Sequence, residues 1–366
     1  MSGTDTRFMT MALALGRRGM GRCAPNPSVG CVIVRAGRIV GRGWTAPGGR
    51  PHAETQALAR AGEAARGATA YVTLEPCAHH GRTPPCADAL IDAGIARVVA
   101  PFEDTDARVS GRGFARLRAG GVAVTTGVMV DAASRDLAGF LMRNEIGRPR
   151  VTLKLAASLD GRIATASGHS QWITGPQARR MVHAERARHD AVMVGAGTAR
   201  ADDPMLTVRD MGEQRQPVRV VVSRRLDVPL MSNLARSAGD VPVWLCHGAD
   251  VDDSIVAAWR GVGARLLPCD VTAGQVDPAS VLQVLGRAGI TRVFCEGGGS
   301  LAAALLGAGL VDEFVGFTAG LAIGAEGLPG IGALGLARLD EAGRFTLTET
   351  RAVGGDVMHR WQRVSV

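Results

Sequence analysis

Residues 70–101 have the sequence AYVTLEPCAHHGRTPPCADALIDAGIARVVAP, and this stretch decides the fold of the first half of the chain. The apolar run at 70–74 predicts a strand, and a loop rich in Pro, Gly and His follows it. A helix is expected over 86–93 and a second strand over 97–101. A strand, a helix and a strand in succession indicate a mostly parallel sheet covered by helices.

The sequence on either side of this stretch continues the alternation. Two apolar runs predict a hairpin over 29–44, and Pro51 opens an alanine-rich helix that extends to about residue 66. A strand near 122–125 and a helix from about Asp131 follow. The first half is therefore predicted to be a compact α/β domain.

A polar stretch with Gly and Pro and no apolar period, Asn144-Glu145-Ile146-Gly147-Arg148-Pro149, separates the two halves. Because 366 residues exceed the size of one ordinary core, we expect two domains, 1–147 and 148–366. The second half repeats the α/β pattern, with strands expected at 151–156, 191–194, 219–222, 241–246 and 292–295.

Composition and charge narrow the class of protein. A hydrophobic fraction of 46% with 49 glycines suits α/β domains with many tight turns. The net charge of +8 comes from scattered arginines, which is weak evidence for anionic small substrates. Seven cysteines at irregular spacing indicate a reducing compartment. With no signal-peptide pattern and no apolar run of membrane-spanning length, we expect a cytoplasmic protein without membrane contact.

The residue types near the predicted helices that begin at Pro51 and Cys86 indicate zinc chemistry. His52, Cys77 and Cys86 supply one imidazole and two thiolates, which leaves a fourth zinc position open for water. Glu54 is left free to move protons between that water and a substrate ring, so the pattern predicts a hydrolytic deaminase. The alternatives are a capping histidine with two buried thiols, or a structural zinc, which would want a fourth protein ligand.

Eight residues separate the two cysteines, where the shortest deaminase signature has two. We expect this loop to be an added part of the active site. His79 and Arg82 in it are candidates for holding a substrate phosphate, with a solvated basic loop as the alternative, and His80 is equally consistent with a bystander.

Several segments together resemble a known family. Pro25-Asn26-Pro27-Ser28-Val29-Gly30, Pro51-His52-Ala53-Glu54 and the 75–86 segment resemble the bifunctional riboflavin-biosynthesis proteins of bacteria, a pyrimidine deaminase fused to a reductase. The resemblance continues through the segments 154–162, 170–174, 201–204 and 296–299. It implies a cytidine-deaminase-like α/β/α sandwich followed by a dihydrofolate-reductase-like α/β domain. The chain departs from the family's usual pattern at Thr45 and at Asp104-Thr105-Asp106.

The resemblance also implies an activity, cofactors and an assembly. The family deaminates 2,5-diamino-6-ribosylamino-4(3H)-pyrimidinone 5′-phosphate and then reduces the ribosyl group of the product to ribityl with NADPH. We therefore expect a phosphorylated pyrimidine substrate, one zinc ion in the deaminase domain, NADPH in the reductase domain, and a homo-oligomer formed through the reductase domain.

Site residues carried over from the family fall into three groups. Lys154 and Asp202 are the expected catalytic residues of the reductase, with a capping role as the alternative for Asp202. The expected substrate-binding residues are Asn26, His79, Arg82, Ser170, Arg186, Leu206, Arg209 and Glu296. The expected cofactor-binding residues are Ala156, Trp172, Gly195, Thr198, Asp202, Ser223, Gly298, Gly299 and Ser300. For Arg186, exposed charge on a helix rich in Arg and His is the alternative.

The residues of the second half support the reductase independently. A predicted strand runs into Glu296-Gly297-Gly298-Gly299-Ser300 and then an apolar helix, the order that anchors phosphates on backbone N–H groups. A plain tight turn is the alternative. Ser223-Arg224-Arg225 has the residue types that recognise a 2′-phosphate, although a solvated turn explains it equally well.

Two other functions compete with this interpretation. A deaminase of free bases or nucleosides with a degenerate or regulatory second domain has no need of the basic loop between the cysteines. A deaminase or binding protein for RNA would want stacking side chains and a basic patch, whereas the chain has eight Phe, one Tyr and dispersed arginines. We therefore expect no nucleic-acid partner.

Overall fold

The computed structural model describes residues 3–79, 84–106 and 109–364. The chain divides into two compact units, Met1–Gly147 and Arg148–Val366. Among the described residues, no helix has the length and apolar character needed to span a membrane.

The first unit is a sheet with helices on both faces. Its strands lie in the order β2-β1-β3-β4-β5. The elements are α1 (Gly3–Gly16), β1 (Gly30–Arg35), β2 (Arg38–Trp44), α2 (Ala53–Ala61), β3 (Thr69–Val72), α3 (Cys86–Asp92), β4 (Arg97–Val99), α4 (Arg112–Ala119), β5 (Ala123–Thr125) and α5 (Val130–Ile146), with 3-10 turns at Arg17–Gly19, Pro47–Gly49 and Gly62–Ala65.

The predicted hairpin is confirmed as β1 and β2, joined at Ala36 and Gly37, which have φ of 48° and 76°. Two central residues with positive φ are typical of the tight turn that suits twisted antiparallel strands. The expectation of a mostly parallel sheet is wrong for this unit, because β1 pairs antiparallel with both β2 and β3 and only the β3-β4-β5 portion is parallel. A hairpin connection is too short for a parallel crossover.

Two features of the first unit differ from the predicted elements. Helix α4 was not expected, because its eight residues, RGFARLRA, carry only a short apolar face with Phe114 and Leu117 buried. Helix α5 extends through Ile146, so part of the polar stretch is helical, and it ends at Gly147 with φ of 74°, a left-handed end that favours glycine.

Helix α2 lies directly against strand β2, and two glycines make this approach possible. A Cβ built on Gly43 would lie 2.1 Å from the Ala53 carbonyl oxygen, and one on Gly41 would lie 2.2 Å from that of Ala57. Any larger residue would therefore push the helix away from the sheet. This contact holds the start of α2, where His52 and Glu54 lie, in a fixed position.

The second unit has a longer sheet, in the order β11-β10-β9-β8-β14-β6-β15-β18-β17. All pairings from β11 to β15 are parallel, and β18 and β17 add an antiparallel hairpin. The elements are β6 (Arg150–Ala157), β7 (Arg162–Ala164), α6 (Pro176–Ala187), β8 (Ala191–Gly195), α7 (Ala196–Asp202), β9 (Val218–Val222), α8 (Asn233–Arg236), β10 (Val243–His247), α9 (Asp253–Gly261), β11 (Arg265–Pro268), β12 (Val271–Thr272), β13 (Gln275–Val276), α10 (Pro278–Arg287), β14 (Arg292–Gly297), α11 (Gly299–Gly307), β15 (Glu313–Ala319), β16 (Leu328–Pro329), β17 (Phe345–Val353) and β18 (Asp356–Arg363), with a 3-10 turn at Leu339–Glu341.

The parallel part of this sheet positions the second site. The carboxyl ends of neighbouring parallel strands meet at one edge, where ligands of open α/β sheets usually bind. Strands β6, β8, β9 and β14 end there with Ala157, Gly195, Val222 and Gly297. The candidate reductase residues that follow or end these strands are therefore brought together by the topology.

Candidate active sites

The first unit contains one metal-ligating cluster among the described residues. The ligand atoms of His52, Cys77 and Cys86 all lie within 4.8 Å of one another. His52 Nδ1 is 3.3 Å from Cys86 Sγ and 3.7 Å from Cys77 Sγ. Zinc bonds of about 2.0–2.3 Å at tetrahedral angles separate nitrogen and sulfur ligands by about 3.6 Å. The three side chains therefore fit zinc.

Each ligand comes from the end of an element. His52 precedes the first residue of α2, Cys77 lies in the loop after β3, and Cys86 is the first residue of α3. The Cys86 backbone N–H donates to Cys77 Sγ at 3.4 Å, and the Ala87 N–H donates to the Cys77 carbonyl at 3.1 Å. The two cysteine segments are thus held together by their own backbone, not by the metal alone.

Glu54 lies in the first turn of α2 and is buried, with 4% of its surface exposed. Burial is the main effect that raises the pKa of its carboxyl to about 7, and the negative charge of Cys77 adds to it. The hydrogen bond with the Cys86 thiol is the largest of the effects that lower the pKa of Cys77 to about 4. An acid–base carboxyl and a thiolate ligand therefore lie side by side.

The segment that carries Asn26 is fixed from two sides. The Asn26 side chain lies over Gly49, where a Cβ would come within 1.7 Å of Asn26 Nδ2 and where φ is 86°. Thr45 is buried, and its hydroxyl accepts from the Val29 N–H at 3.0 Å and donates to the Pro27 carbonyl at 2.9 Å. At the departure from the family pattern, Thr45 therefore acts as a tie between backbone segments.

The loop between the cysteines is only partly described. His79 is half-buried, and its Nδ1 atom has no hydrogen-bond partner within the described residues. The predicted phosphate ligand Arg82 and the neighbouring His80 lie outside the described residues.

The second unit has a cavity of about 1000 Å³ at the carboxyl edge of its parallel strands. Most of the predicted reductase residues line it. They are Lys154, Ala156, Ser170, Gly195, Thr198, Asp202, Ser223, Glu296, Gly298, Gly299 and Ser300. A volume of this order is large enough for an extended ligand.

The predicted glycine-rich turn lies on the wall of this cavity. Gly297 and Gly298 have φ of 82° and 91°, and α11 begins at Gly299. A Cβ on Gly298 would lie 2.8 Å from Thr198 Oγ1, and one on Gly299 would lie 2.9 Å from the Pro329 carbonyl oxygen. The turn needs glycine for its conformation and for these approaches, and it presents helix N–H groups suited to phosphate.

Groups of opposite charge line the same cavity, Lys154 together with Asp202 and Glu296. Burial lowers the pKa of Lys154, while the nearby Glu296 and Asp202 act in the opposite direction. Burial raises the pKa of Asp202, and Lys154 opposes that shift. Asp202 is the last residue of α7 and also lines the cavity. A position at the end of a helix, as the capping alternative expects, is therefore compatible with a place in the active site.

Arg186 is largely buried and paired, in contrast to the alternative of an exposed charge. Its guanidinium binds Glu296 through two contacts of 2.5 and 2.9 Å and donates to the Thr207 carbonyl at 2.8 Å. Leu206 is buried with φ of 52°, and the Arg209 N–H donates to His183 Nδ1 at 3.2 Å. The 206–209 segment is thereby fastened to α6 next to Glu296.

Some predicted residues do not line the cavity. Leu206, Arg186 and Arg209 lie outside its wall, although Arg186 contacts the lining residue Glu296. Trp172 also lies outside it, with 66% of its surface exposed and the Arg179 guanidinium 4.6 Å from its ring centre.

The structure adds two residues to which the sequence analysis gave no role. His183 lies one helical turn before Arg186 on α6, and this spacing places both on one face of the helix. Glu75 precedes Cys77 by two residues and is buried. Two signals in the sequence mark it: a charged residue directly after an apolar run, and its place in the 75–86 segment that resembles the family.

Comparisons with known proteins match a family to each part of the chain. Residues 149–359 match the family described as "RibD C-terminal domain", and residues 2–101 match the "Cytidine and deoxycytidylate deaminase zinc-binding region". The chain is 44% identical over 365 residues to the riboflavin biosynthesis protein RibD of Escherichia coli, covering 96% of this chain and 98% of that protein. The chain belongs to the RibD family.

Solved RibD structures have the same fold over their full length. The RibD of Acinetobacter baumannii (form 1) has a TM-score of 0.89 at 36% identity, covering 99% of each chain. A Thermotoga maritima protein, described as a diaminohydroxyphosphoribosylaminopyrimidine deaminase/5-amino-6-(5-phosphoribosylamino)uracil reductase, has a TM-score of 0.86 at 32% identity, also covering 99% of each chain.

Membership in the RibD family confirms the predicted fold class and the general function. The chain is a bifunctional deaminase and reductase of riboflavin biosynthesis that acts on a small-molecule substrate. The predicted cofactors, zinc and NADPH, are confirmed for the same reason, and the His52, Cys77 and Cys86 cluster agrees with the zinc prediction.

Proposed function

We propose that the chain catalyses two consecutive steps. The first is hydrolytic deamination of 2,5-diamino-6-ribosylamino-4(3H)-pyrimidinone 5′-phosphate, and the second is NADPH reduction of the ribosyl group of 5-amino-6-(5-phosphoribosylamino)uracil to ribityl. The observation that carries the proposal is the grouping of His52, Cys77 and Cys86 beside the buried Glu54. The two activities named for the similar Thermotoga protein support the choice of substrates.

In the deaminase domain, assigned to residues 1–147, we propose that His52, Cys77 and Cys86 hold zinc. When bound, zinc supplies the Lewis acid that lowers the pKa of water toward about 7. Glu54 takes a proton from the attacking water, delivers it to the ring nitrogen, and then assists the departure of ammonia. A carboxyl whose pKa is raised to about 7 suits both halves of this transfer.

Three residues are proposed to bind the deaminase substrate. Asn26, held over Gly49, offers an amide to the pyrimidine ring, while His79 and Arg82 bind the phosphate. The His79 Nδ1 atom has no protein partner within the described residues, which leaves it available to a ligand.

In the reductase domain, assigned to residues 148–366, we propose that the cavity holds NADPH, which supplies the hydride. Gly298, Gly299 and Ser300 bind its phosphates through backbone N–H groups at the start of α11. The other proposed cofactor contacts, by position on the wall or by resemblance, are Ala156, Trp172, Gly195, Thr198, Asp202 and Ser223.

The proposed chemistry of the reductase uses the charged pair in the cavity. When C1′ of the ribosyl group, in its open imine form, accepts hydride, the C=N π bond breaks and Lys154 donates the proton that the nitrogen takes up. Asp202 orients Lys154 and returns a proton to it. The proposed substrate-binding residues are Ser170, Arg186, Leu206, Arg209 and Glu296. The ion pair of Arg186 and Glu296 supports this set, because it joins α6 to the end of β14.

Recognition of the NADPH 2′-phosphate is proposed for Ser223, Arg224 and Arg225. All three line the cavity just after β9. The Arg224 guanidinium is oriented by a 2.9 Å contact with Asp250 and by donation to the Gly274 carbonyl at 3.0 Å. A guanidinium held in this way meets a phosphate at a low entropic cost.

The setting of the enzyme follows from the same interpretation. We propose a cytoplasmic enzyme that forms a homo-oligomer through the reductase domain and binds no nucleic acid. None of the seven cysteines, all of which lie among the described residues, forms a disulfide, which suits a reducing compartment. The small number of aromatic residues, 4% of the chain, argues against base stacking on nucleic acid.

The test is a coupled assay of the zinc-loaded protein. The phosphorylated diaminopyrimidinone is added with NADPH, and ammonia and NADPH absorbance are followed together. Ammonia release followed by NADPH loss supports the two-step proposal. Ammonia release without NADPH loss would contradict the reductase half of the proposal. If zinc-loaded protein gave neither ammonia release nor NADPH loss, the substrate assignment would be contradicted.

A further inference from the structure

Glu75 makes an unusual set of hydrogen bonds for a carboxylate in the first unit. It is 4% exposed, and it accepts from three backbone N–H groups. Oε2 accepts from Asp104 and Gly111 at 2.9 Å each, and Oε1 accepts from Phe114 at 3.0 Å. A buried carboxylate with three N–H donors is a strong and rigid contact.

Two of the three donors belong to the start of α4. Gly111 is the residue that precedes the helix, Phe114 lies in its first turn, and α4 has no side-chain cap of its own. Glu75 therefore caps α4 from a distant segment of the chain and also complements the helix dipole. The contact is close, because a Cβ on Gly113 would lie 1.9 Å from the Pro76 carbonyl oxygen.

The same contact fixes the segment that carries a proposed zinc ligand. Strand β3 ends at Val72, so Glu75, Pro76 and Cys77 lie beyond the sheet. On one side Glu75 is fastened to α4, and on the other side the Cys77 carbonyl accepts from the Ala87 N–H of α3 at 3.1 Å. Cys77 is thus held between two helices.

The third donor, the Asp104 N–H, connects the segment of Glu75 and Cys77 to the loop that contains Asp104 and Asp106. The Asp104 N–H binds Glu75, and Asp104 Oδ1 in turn accepts from the Asp106 N–H at 2.8 Å. Asp104 is itself buried, with 7% of its surface exposed. One carboxylate therefore sets the position of both a metal ligand and a neighbouring loop.

We propose that Glu75 is a positioning residue that presets Cys77 for zinc and couples that ligand to the Asp104 loop. The inference rests on the proposed role of His52, Cys77 and Cys86 as the zinc ligands. Outer contacts that orient metal ligands typically change metal affinity by about 10- to 100-fold when they are removed. Glu75 acts through backbone groups, one step further from the ligand than usual.

The experiment compares Glu75→Ala and Glu75→Gln with the parent, all zinc-loaded and kept well below their unfolding temperatures. The rate of zinc transfer to a competing chelator is measured, together with the thiolate charge-transfer absorbance of cobalt-substituted protein. Glu75→Ala is expected to lose about 10- to 100-fold in zinc affinity, observed as a correspondingly faster transfer of zinc to the chelator. The zinc-transfer rate of Glu75→Gln is expected to lie between those of Glu75→Ala and the parent. The glutamine amide keeps one acceptor oxygen, but its NH₂ group, a donor, faces a backbone N–H that is also a donor.

Two controls separate positioning from general destabilisation. Asp5→Asn removes another buried carboxylate of the same unit, one bound to Tyr71 and Arg97, and should leave zinc release unchanged. NADPH oxidation with the already deaminated substrate monitors the second unit and should stay at the parent rate in every variant.

Three outcomes overturn the inference. One is zinc release from Glu75→Ala at the parent rate, and another is release from Asp5→Asn as fast as from Glu75→Ala. The third is Gln behaving like Glu, since a side chain that only fills space would make them equal. Failure of the parent to retain zinc would instead contradict the proposed function, so the two failures are distinguishable.

Discussion

The metal centre and the reductase cavity are built in opposite ways. The three proposed zinc ligands lie within residues 52–86, at the ends of two helices and one loop. The cavity draws its lining from residues 154 to 328, across four parallel strands and the segments that follow them. A metal with short bonds needs few groups at exact positions, whereas an extended dinucleotide needs many contacts from distant parts of a sheet.

The two sites therefore differ in how many residues each activity depends on. In the metal centre, most of the expected activity depends on one proton-transferring group and three ligands, so single substitutions should abolish it. In the cavity, binding is shared among many groups, so most single substitutions should weaken it gradually. The activity of each unit can therefore serve as the control for a substitution in the other unit.

The largest expected effect is in the metal centre. Glu54→Gln should lower the rate of ammonia release by about 10²–10⁴-fold, the usual contribution of a general acid–base group. Zinc content and NADPH oxidation with deaminated substrate should match the parent. Glu63→Gln, a change of an exposed carboxylate in the turn after α2, is the matched control. Ammonia release at near the parent rate in Glu54→Gln would remove its assigned role.

A somewhat smaller loss is expected for the charged pair of the cavity. Lys154→Gln should slow NADPH oxidation by about 10²-fold, because proton delivery and charge near the acceptor carbon are lost together. Ammonia release from the first substrate should continue unchanged. If the KM for NADPH rose while kcat stayed unchanged, Lys154 would be assigned to binding and not to chemistry.

Shared binding predicts a modest effect at the 2′-phosphate position. Arg224→Ala should raise the KM for NADPH about tenfold, equivalent to ~1.4 kcal/mol, and leave the KM for NADH unchanged. Steady-state kinetics with both cofactors measure this split. Arg338→Ala, an exposed arginine outside the cavity wall, is the control. Equal changes for the two cofactors would show that Arg224 does not recognise the phosphate.

The smallest effect on chemistry is expected from a buried charge network within the reductase sheet, where Arg150, Glu313 and Arg360 belong to strands β6, β15 and β18. Burial acts to raise the pKa of the Glu313 carboxyl, but the neighbouring Arg150 and Arg360 outweigh burial and lower the pKa to about 2 from an ordinary 4.5. Because the folded-state pKa is depressed, its stabilisation is present above pH 4.5 and is lost as pH falls toward 2.

Glu313→Gln should therefore lower the unfolding temperature of the second unit at neutral pH while leaving ammonia release intact. Calorimetry from pH 7 to pH 2 should show the gap between variant and parent narrowing below pH 4.5. A gap that stays constant with pH would mean that Glu313 contributes packing and not charge.

The contrast also explains which features were predictable from the sequence. The hairpin, α2 and α3 followed from local patterns, because each depends on turn residues and on apolar spacings of a few positions. The grouping of His52, Cys77 and Cys86 followed from the residue types that such a site needs. Helix α4 was missed because its eight residues carry little apolar signal. The antiparallel pairing of β1 with β3 was missed because pairing between distant strands leaves no local signature.

The cavity was predictable only in part. The glycine-rich turn after β14 and the residues after β9 follow from motifs, but the pairing of Arg186 with Glu296 joins positions 110 residues apart. Likewise, the bond between the Arg209 N–H and His183 requires the 206–209 segment to lie on α6. Contacts of this kind depend on the tertiary fold. The family resemblance named Arg186, Arg209 and Glu296 as site residues, but it predicted neither of these contacts and gave no role to His183.

The central claim is that one chain holds two chemically separate sites, only one of which needs zinc. The most direct measurement is to strip the protein of zinc with a chelator and assay each half separately, using the first substrate for ammonia and deaminated substrate for NADPH oxidation. We expect ammonia release to disappear and to return with added zinc, while NADPH oxidation stays at the parent rate throughout. Loss of both activities together, or ammonia release from fully stripped protein, would contradict it.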